Sequence, residues 1–293
     1  MINLQNKILY ILLITTISQL FFSCMENSTS PVNDKITYLD SGKKALVIAV
    51  ENKDLIAFTD ENLFNSYKSI ILPLLSDVFS VPQDSMKELT LAEIIEKYGE
   101  DWQLVQIAAA GMGYYDKIIK LTDETATTTG FIDSLKILNN EGYTIDVVLD
   151  LHASNTSLVF TDKEIDFGSL TQRIKSNGIS IRALYQTACY GKYSLSFWND
   201  IGLFAVNGAE DLNKITLFSP AYFVQEWTAG KNYEDAVFSA YNLEIEKMRT
   251  YNNILPVDIY FLTQETLMNS LQRVSGRDTK ILWKNVPKKE VVF

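Results

Sequence analysis

Short apolar runs alternate with segments of helical periodicity through the middle of the 293-residue chain. "TIDVVLDLHAS" and "ISIRALYQTACYG" each have the pattern of a strand that runs into a turn, and "LFAVNGAED" (203–211) follows the same pattern. Helices are predicted before and between the first two, over residues 131–142 and 165–178. Strands that alternate with helices of this length are typical of βαβ units. We therefore predict an α/β fold whose mainly parallel sheet is flanked by helices on both faces.

The remaining segments extend this pattern towards both ends of the chain. Continuous apolar runs predict three more strands, over residues 43–52, 102–111 and 117–121. Helical spacing and capping residues predict four more helices. The first begins at Asp60, the second covers 89–99 and ends at Gly99, and the other two cover 219–230 and 233–249. Beyond Leu255 the pattern is mixed and predicts no definite element.

The first 24 residues have the pattern of a secretory signal that ends in a cysteine. Lys7 precedes an apolar stretch from Ile8 to Phe22, which is shorter than a typical membrane span and lies at the start of the chain. Ser23 and Cys24 complete "LFFSC", which resembles a bacterial lipobox whose cysteine is lipidated and becomes the mature amino terminus. An ordinary signal peptide and a single membrane anchor are the alternatives. The prediction places the protein in a bacterial cell envelope, lipid-anchored outside the cytoplasm at the inner or outer membrane.

The chain divides into four predicted segments. Residues 1–23 are the signal peptide, and the polar, turn-rich residues 24–40 suit a tether between membrane and domain. Residues 41–255 form the α/β domain, and 256–293 are a carboxyl-terminal extension of uncertain structure. The formal net charge of −10 argues against a nucleic acid as partner, because binding phosphates needs clustered lysine and arginine.

One histidine and two cysteines are present in the whole chain. With Cys24 at the lipidation position, His152 and Cys189 are the only imidazole and the only thiol of the domain. Each follows a predicted strand, and the carboxyl ends of parallel strands meet at one edge of a sheet, so both are predicted to face one cleft. A thiolate is a nucleophile that a neighbouring imidazole can activate, and the backbone amides of Ala153 and Cys189 are candidate donors to an oxyanion. A zinc site would need more histidine or cysteine ligands than remain.

These motifs resemble those of the caspase–gingipain–legumain–clostripain superfamily of cysteine peptidases. A strand ending in His-small is followed by a helix and a strand ending in Ala-Cys-x-Gly, and "TACYG" is similar to the caspase "QACRG" at Ala188, Cys189 and Gly191. The similarity covers roughly residues 115–240. It implies a caspase-like fold, with Cys189 as nucleophile, His152 as general acid/base, no metal or cofactor in the chemistry, and a peptide or protein substrate.

Two positions depart from the family pattern, and two other functions stay open. Ala153 stands where the family commonly has glycine, and Thr187 stands where caspases have glutamine. One alternative is a catalytically inactive surface lipoprotein that uses the caspase fold for binding. Another is a hydrolase or acyltransferase that uses the same pair on a non-peptide substrate. The remaining polar residues near the pair are given lesser roles: Asp150 as a structural carboxylate, Ser154 and Ser157 as weak nucleophile candidates, and Asp200, Glu210 and Asp211 as acids that would favour a basic substrate side chain.

Overall fold

The structure is a computed structural model that describes residues 38–39, 42–51, 61–213, 217–252 and 269–287. The predicted signal peptide, the lipidation position Cys24 and most of the predicted tether lie outside these ranges. Asp60 and residues 253–268 also lie outside them. The ten strands of the described residues are β1 (Tyr38–Leu39), β2 (Lys44–Glu51), β3 (Lys117–Leu121), β4 (Thr144–Leu151), β5 (Ser157–Val159), β6 (Glu164–Asp166), β7 (Ala183–Gln186), β8 (Ala205–Ala209), β9 (Gln272–Ser275) and β10 (Val286–Pro287).

Six of these strands form the central sheet, in the order β3-β2-β4-β7-β8-β9. Every neighbouring pair from β3 to β8 is parallel, and only β9 runs antiparallel to its neighbour β8. The chain first crosses from β2 to β3 on one side and then returns to place β4 on the other side of β2. This order confirms the predicted α/β fold with a mainly parallel sheet.

The central strands are largely apolar because helices cover both faces of the sheet, and Asp146 and Asp150 of β4 are buried exceptions. β2 and β4 pair along their full length, from Lys44 opposite Thr144 to Glu51 opposite Leu151, and seven of the eight residues in each strand are buried. Strands buried on both faces lose the alternation of polar and apolar residues that marks a half-exposed sheet. β2 therefore has the continuous apolar run from which it was predicted, and the apolar residues of β4 are interrupted only by its two aspartates.

The described helices are α1 (Glu61–Phe79), α2 (Leu91–Ile94), α3 (Glu100–Gly111), α4 (Thr128–Asn140), α5 (Phe167–Ser176), α6 (Leu195–Asp200), α7 (Ser219–Thr228) and α8 (Tyr233–Asn252). On one face of the sheet, α4 and α5 bury Phe131, Leu135 and Leu170 in the same cluster as Val47 and Val147. On the other face, Tyr185 of β7 stacks on Phe223 of α7, with ring centroids 4.3 Å apart. The predicted helices on both faces are thus confirmed.

The strand predicted over residues 102–111 is wrong, because these residues form helix α3. The segment is apolar enough to resemble a buried strand, but its buried positions Leu104, Ile107, Ala108 and Gly111 recur at helical spacing. Val105, between them, is 53% exposed. A strand covered on both faces would not have an exposed residue between buried ones, so the helical spacing of the buried residues indicates the secondary structure better than the apolar composition.

The helix predicted over 89–99 continues past the glycine at which it was expected to end. Thr90 caps α2 in a reciprocal bond pair with Glu93, and a π-helical turn over Ile95–Gly99 leads directly into α3. Gly99 has helical angles of φ −70° and ψ −46°, so it does not adopt the left-handed conformation with which glycine ends a helix.

The chain beyond Leu255, for which the sequence predicted no definite element, contributes to the sheet. β9 pairs with β8, from Ser275 opposite Val206 to Gln272 opposite Ala209. Downstream of β9, the buried Arg182 donates from Nη1 to the carbonyl oxygens of Trp283 (2.6 Å) and Asn285 (2.7 Å). The same guanidinium donates from Nε to Asp146 Oδ1 at 2.8 Å. One buried cation therefore attaches the carboxyl-terminal segment to the amino-terminal ends of β4 and β7.

Candidate active site

His152 and Cys189 lie at equivalent positions beyond the carboxyl ends of two neighbouring parallel strands. β4 and β7 are adjacent, and their last paired residues are Leu149 and Gln186. The Thr187 amide donates to the Leu149 carbonyl at 3.0 Å, which continues the ladder by one residue. His152 follows Leu149 by three residues, and Cys189 follows Gln186 by three. This register leaves both residues just beyond the ends of neighbouring strands, which are about 4.8 Å apart, at the same edge of the sheet.

Both side chains are half-buried, so they are neither enclosed in the core nor fully in solvent. Cys189 is not in a disulfide within the described chain. The residue after it, Tyr190, has a left-handed backbone with φ 55°, which is unusual for a residue other than glycine. Its N–H donates to the Asp211 carbonyl at 2.8 Å, so the segment after β8 holds the turn in this conformation.

Gly191 of the Ala-Cys-x-Gly motif is needed for close backbone packing. A Cβ atom at this position would lie 2.8 Å from the Gly208 Cα and 3.0 Å from the Ala209 nitrogen, both in β8. Real Cβ atoms do not approach backbone so closely. The glycine therefore lets the turn that carries Cys189 lie directly against the neighbouring strand.

The Cys189 sulfur contacts the segment that follows β8. The backbone N–H of Asn213 points at Sγ with a nitrogen–sulfur distance of 3.3 Å, and the Asn213 carbonyl oxygen is 3.8 Å from Sγ. The Asn213 side chain donates from Nδ2 to the Thr187 carbonyl at 2.8 Å. Sequence reasoning did not find Asn213, because nothing in the sequence marks which residue of a loop will contact the sulfur.

Ala153 replaces the family's glycine without backbone strain. It is not among the described residues with positive φ, and it forms an isolated antiparallel bridge with Leu158. The bridge is flanked by the hydrogen bonds Val159 N–H to His152 O and Ser154 N–H to Ser157 O, at 2.9 and 3.0 Å. In this arrangement the Ala153 N–H points away from the bridging strand. The position therefore tolerates a Cβ and leaves its amide directed away from the hairpin.

Thr187 and Asp150, which precede Cys189 and His152 by two residues each, are hydrogen-bonded to one another. Both are buried, and the Thr187 hydroxyl donates to Asp150 Oδ1. This bond joins the strand that carries His152 to the strand that carries Cys189. Thr187, which stands at the position of the caspase glutamine, thus faces the neighbouring strand.

Of the three acids expected to favour a basic substrate side chain, Glu210 is occupied by cations of the chain itself. Arg273 Nε and Lys192 Nζ lie 2.6 and 2.9 Å from its carboxylate oxygens, and their hydrogen bonds lower the pKa of Glu210. Asp200 is the last residue of α6. Asp211 accepts from the Leu212 amide at 2.8 Å and lies beside Tyr190. Asp211 is therefore the acid that the structure brings to the Cys189 turn.

Ser154 and Ser157, the weaker nucleophile candidates, hydrogen-bond to each other. Their hydroxyl oxygens are 2.6 Å apart, and Ser157 Oγ donates to Glu164 Oε1. This chain of bonds lies within the hairpin after β4 and serves to fix it.

Within the described ranges, no group of three or more histidine, cysteine, aspartate or glutamate side chains could hold a metal ion, and no helix is long and apolar enough to cross a bilayer.

Glu244 is a buried acid that the sequence did not single out. It lies on α8 one turn after the buried Ala240, and it accepts from the amides of Phe218 (3.3 Å) and Ser219 (2.9 Å) at the start of α7. Burial raises the pKa of Glu244 to about 7, and the negative charge of Asp150 adds to the effect. The only sequence feature that could have indicated this buried acid is its position on an otherwise apolar face of the predicted helix.

Glu244 is expected to make the protein less stable as the pH rises from about 4.5 to 7. The folded state holds the proton up to a pKa of about 7, whereas the unfolded chain releases it near the ordinary value of 4.5. The stabilisation is complete below pH 4.5 and is lost as the pH rises through 7, a difference of about 3 kcal/mol at most. Urea unfolding at several pH values should show this fall, and Glu244→Gln should flatten it.

Glu226→Gln is the matched control for this pH dependence. The Lys231 ion pair lowers the pKa of Glu226, so its contribution has the opposite sign and is lost on acidification. Its replacement should leave the fall between pH 4.5 and 7 in place. Equal slopes for the wild type and Glu244→Gln would contradict the assignment.

Comparison with known proteins finds eight chains of solved structures that align with this one, among them the following two. No protein-family model matches the chain, and no curated protein matches it. A complex of the pro- and mature domains of the gingipain RgpB from Porphyromonas gingivalis aligns with a TM-score of 0.42 and 15% identity, over 85% of this chain and 50% of that one. A secreted clostripain-like cysteine protease from Bacteroides thetaiotaomicron, "iotapain", aligns with a TM-score of 0.32 and 10% identity, over 66% of this chain and 65% of that one.

The chain spans about half the length of the gingipain chain and about two thirds of the other.

Proposed function

We propose that the protein is a membrane-anchored cysteine endopeptidase that uses a His152–Cys189 dyad. The observation that supports this most is the register of β4 and β7, which brings the chain's only histidine and the only cysteine of its described residues to equivalent positions at one sheet edge. Either residue alone is more often a packing residue than a catalytic one. Their coincidence at adjacent parallel strand ends is what a thiol–imidazole pair requires.

The proposed reaction proceeds through a thioester. The Cys189 thiol gives its proton to the His152 imidazole, and the sulfur attacks the scissile carbonyl carbon while the carbonyl electron pair moves to oxygen. Collapse of this oxyanion breaks the carbon–nitrogen bond, and the imidazolium protonates the leaving amine. Water, deprotonated by His152, then hydrolyses the thioester and restores the thiol.

The backbone amides of Ala153 and Cys189 are the proposed donors to the oxyanion. Ala153 supplies an N–H that points away from its hairpin, and Cys189 supplies its own N–H from a turn fixed by the left-handed Tyr190. Preorganised amides of this kind stabilise charge that develops in the transition state. No metal ion or cofactor has a part in this chemistry.

Anchoring and location form the second part of the proposal. Lipid on Cys24 would hold the mature protein in the bacterial cell envelope outside the cytoplasm, with peptides or proteins as substrates. The predicted tether, residues 24–40, would then end where Tyr38 and Leu39 form β1. The support is the lipobox-like "LFFSC" after the apolar stretch. Metabolic labelling with a radioactive or alkyne-tagged fatty acid tests it. Label on the wild type and none on Cys24→Ala is the expected result, and equal labelling would contradict it.

Peptide cleavage is tested with a broad library of internally quenched peptides. The purified protein should cleave a subset of them, and prior treatment with iodoacetamide should abolish the cleavage when mass spectrometry finds Cys189 alkylated. No turnover across the library, together with retained binding of a partner by the alkylated protein, would instead support the inactive lipoprotein with a caspase fold.

A further inference from the structure

We propose that Asn213 is a positioning residue that holds the Cys189 thiol in place and favours its thiolate through a backbone N–H directed at the sulfur. The inference deepens the proposed function, because a nucleophilic thiol is useful only when its thiolate is accessible near neutral pH. It concerns the site of the peptidase reaction, and it is tested by a property of the sulfur that can be measured without any substrate.

The contacts at the sulfur favour the thiolate over the thiol. The Asn213 N–H approaches Sγ at 3.3 Å, and a hydrogen bond donated to a charged acceptor is stronger than one donated to a neutral acceptor. The Asn213 carbonyl, which would accept from the S–H of the neutral thiol, lies further away at 3.8 Å. The N–H donor strengthens as the sulfur becomes charged, whereas the carbonyl can accept only from the neutral thiol, so the proposal is that the donor prevails and favours the thiolate.

The Asn213 side chain fixes this amide relative to the strand that carries the cysteine. Nδ2 donates to the carbonyl of Thr187, two residues before Cys189, at 2.8 Å. One residue after Cys189, the Tyr190 N–H donates to Asp211 at 2.8 Å. The segment 211–213 is therefore bonded to the chain on both sides of the thiol, and the asparagine side chain supplies the bond on the amino-terminal side.

The same attachment leads to the strand that carries the histidine. Thr187 donates from its backbone to Leu149 and from its hydroxyl to Asp150, both in β4. Asn213, Thr187 and Asp150 are all buried, with at most 8% of their surface exposed. Buried hydrogen bonds hold their partners firmly, because an unpaired polar group would be costly there. The bond to Thr187 thus sets the sulfur and its amide donor relative to the end of β4.

Asn213→Ala is the direct test, because it removes the side-chain attachment but keeps a backbone N–H. Its expected effect is a rise of about one unit in the apparent pKa of the Cys189 thiol, which corresponds to about tenfold slower alkylation on the acid side of the profile. The measurement is the rate of iodoacetamide alkylation as a function of pH, followed at the Cys189 peptide by mass spectrometry. An unchanged profile in a folded variant would overturn the proposal.

Asn199→Ala is the matched control. This asparagine also donates one side-chain hydrogen bond, to Ser275 Oγ at 2.8 Å, and Ser275 pairs with Val206 at the start of β8, away from the carboxyl edge. Its loss should leave the alkylation profile of Cys189 unchanged. A general loosening of the fold would shift both variants equally, and that result would also overturn the role of Asn213.

A measurement on the wild-type protein keeps the proposal testable if Asn213→Ala does not fold. The amide resonance of Asn213 should shift with pH in step with the ionisation of Cys189 measured by alkylation, and the shift should vanish in Cys189→Ser. An amide that does not follow the thiol would overturn the proposal. If the thiol depends on Asn213 but no peptide is cleaved, the proposed function fails and the positioning role stands. If peptides are cleaved and Asn213→Ala leaves the alkylation profile unchanged, the positioning role fails and the proposed function stands.

Discussion

Cys189→Ala should abolish peptide cleavage, with a loss of at least about a thousandfold in kcat/KM, because no other group of the site supplies the attacking electron pair. The fold should survive, since the side chain is half-buried and the substitution only removes a sulfur. His152→Ala should reduce cleavage to a similar extent, because the proton transfers to and from the substrate pass through the imidazole. Initial rates on the most rapidly cleaved peptide of the library, with thermal unfolding as a check of folding, measure both effects.

Cys24→Ala is the matched control, because it makes the same substitution at the other cysteine of the chain. It removes the proposed lipidation but should leave cleavage of soluble peptides unchanged. Cleavage that persists in Cys189→Ala would exclude the thiol as nucleophile. Loss in Cys189→Ala alone, with full activity in His152→Ala, would remove the histidine from the reaction.

Arg182→Ala should cost about 3–5 kcal/mol of unfolding free energy, the largest loss expected from a substitution outside the site. The arginine is buried beside Asp146, and its removal leaves that carboxylate without its cation in a low-dielectric interior. The carbonyls of Trp283 and Asn285 lose their donor as well. The carboxyl-terminal segment should then separate from the sheet, which increased protease sensitivity of residues 276–287 would report.

Two controls separate the buried pair from ordinary ion pairs. Lys117→Ala removes one partner of the exposed pair with Glu141, whose nitrogen–oxygen distance is 3.0 Å, and should cost at most about 1 kcal/mol. The double variant Arg182→Met with Asp146→Leu replaces the buried charges by apolar groups and should recover part of the loss. A cost for Arg182→Ala no larger than that for Lys117→Ala would contradict the account.

The sheet was predictable because its central strands are buried on both faces. β2 is a continuous apolar run, β4 is apolar apart from two aspartates, and the helices between the later strands end at Asn-Gly or similar signals. The helix over residues 100–111 was mistaken for a strand because "WQLVQIAAAG" is equally apolar. β9 was not predicted, since "QRVS" is short and polar, and it becomes a strand only by pairing with the edge of β8.

The positions of His152 and Cys189 beyond two strand ends were predictable for a different reason. Histidine and cysteine are so rare in this chain that their positions after two strands stood out. Asn213 and Glu244 could not be found in this way, because their roles depend on contacts between residues far apart in sequence. The left-handed turn at Tyr190 was equally hidden, because a tyrosine gives no sequence signal for positive φ.

The central claim is that Cys189 and His152 face one another closely enough to exchange a proton. Cross-linking tests this claim most directly. Dibromoacetone first alkylates a reactive thiol and then reaches a second nucleophile only across its short three-carbon bridge. Because the chain has one histidine, a cysteine–histidine cross-link in the tryptic digest identifies its partners without ambiguity. The account predicts a Cys189–His152 cross-link in the folded protein and none after unfolding in urea. A folded protein alkylated at Cys189, with His152 recovered unmodified, would contradict it.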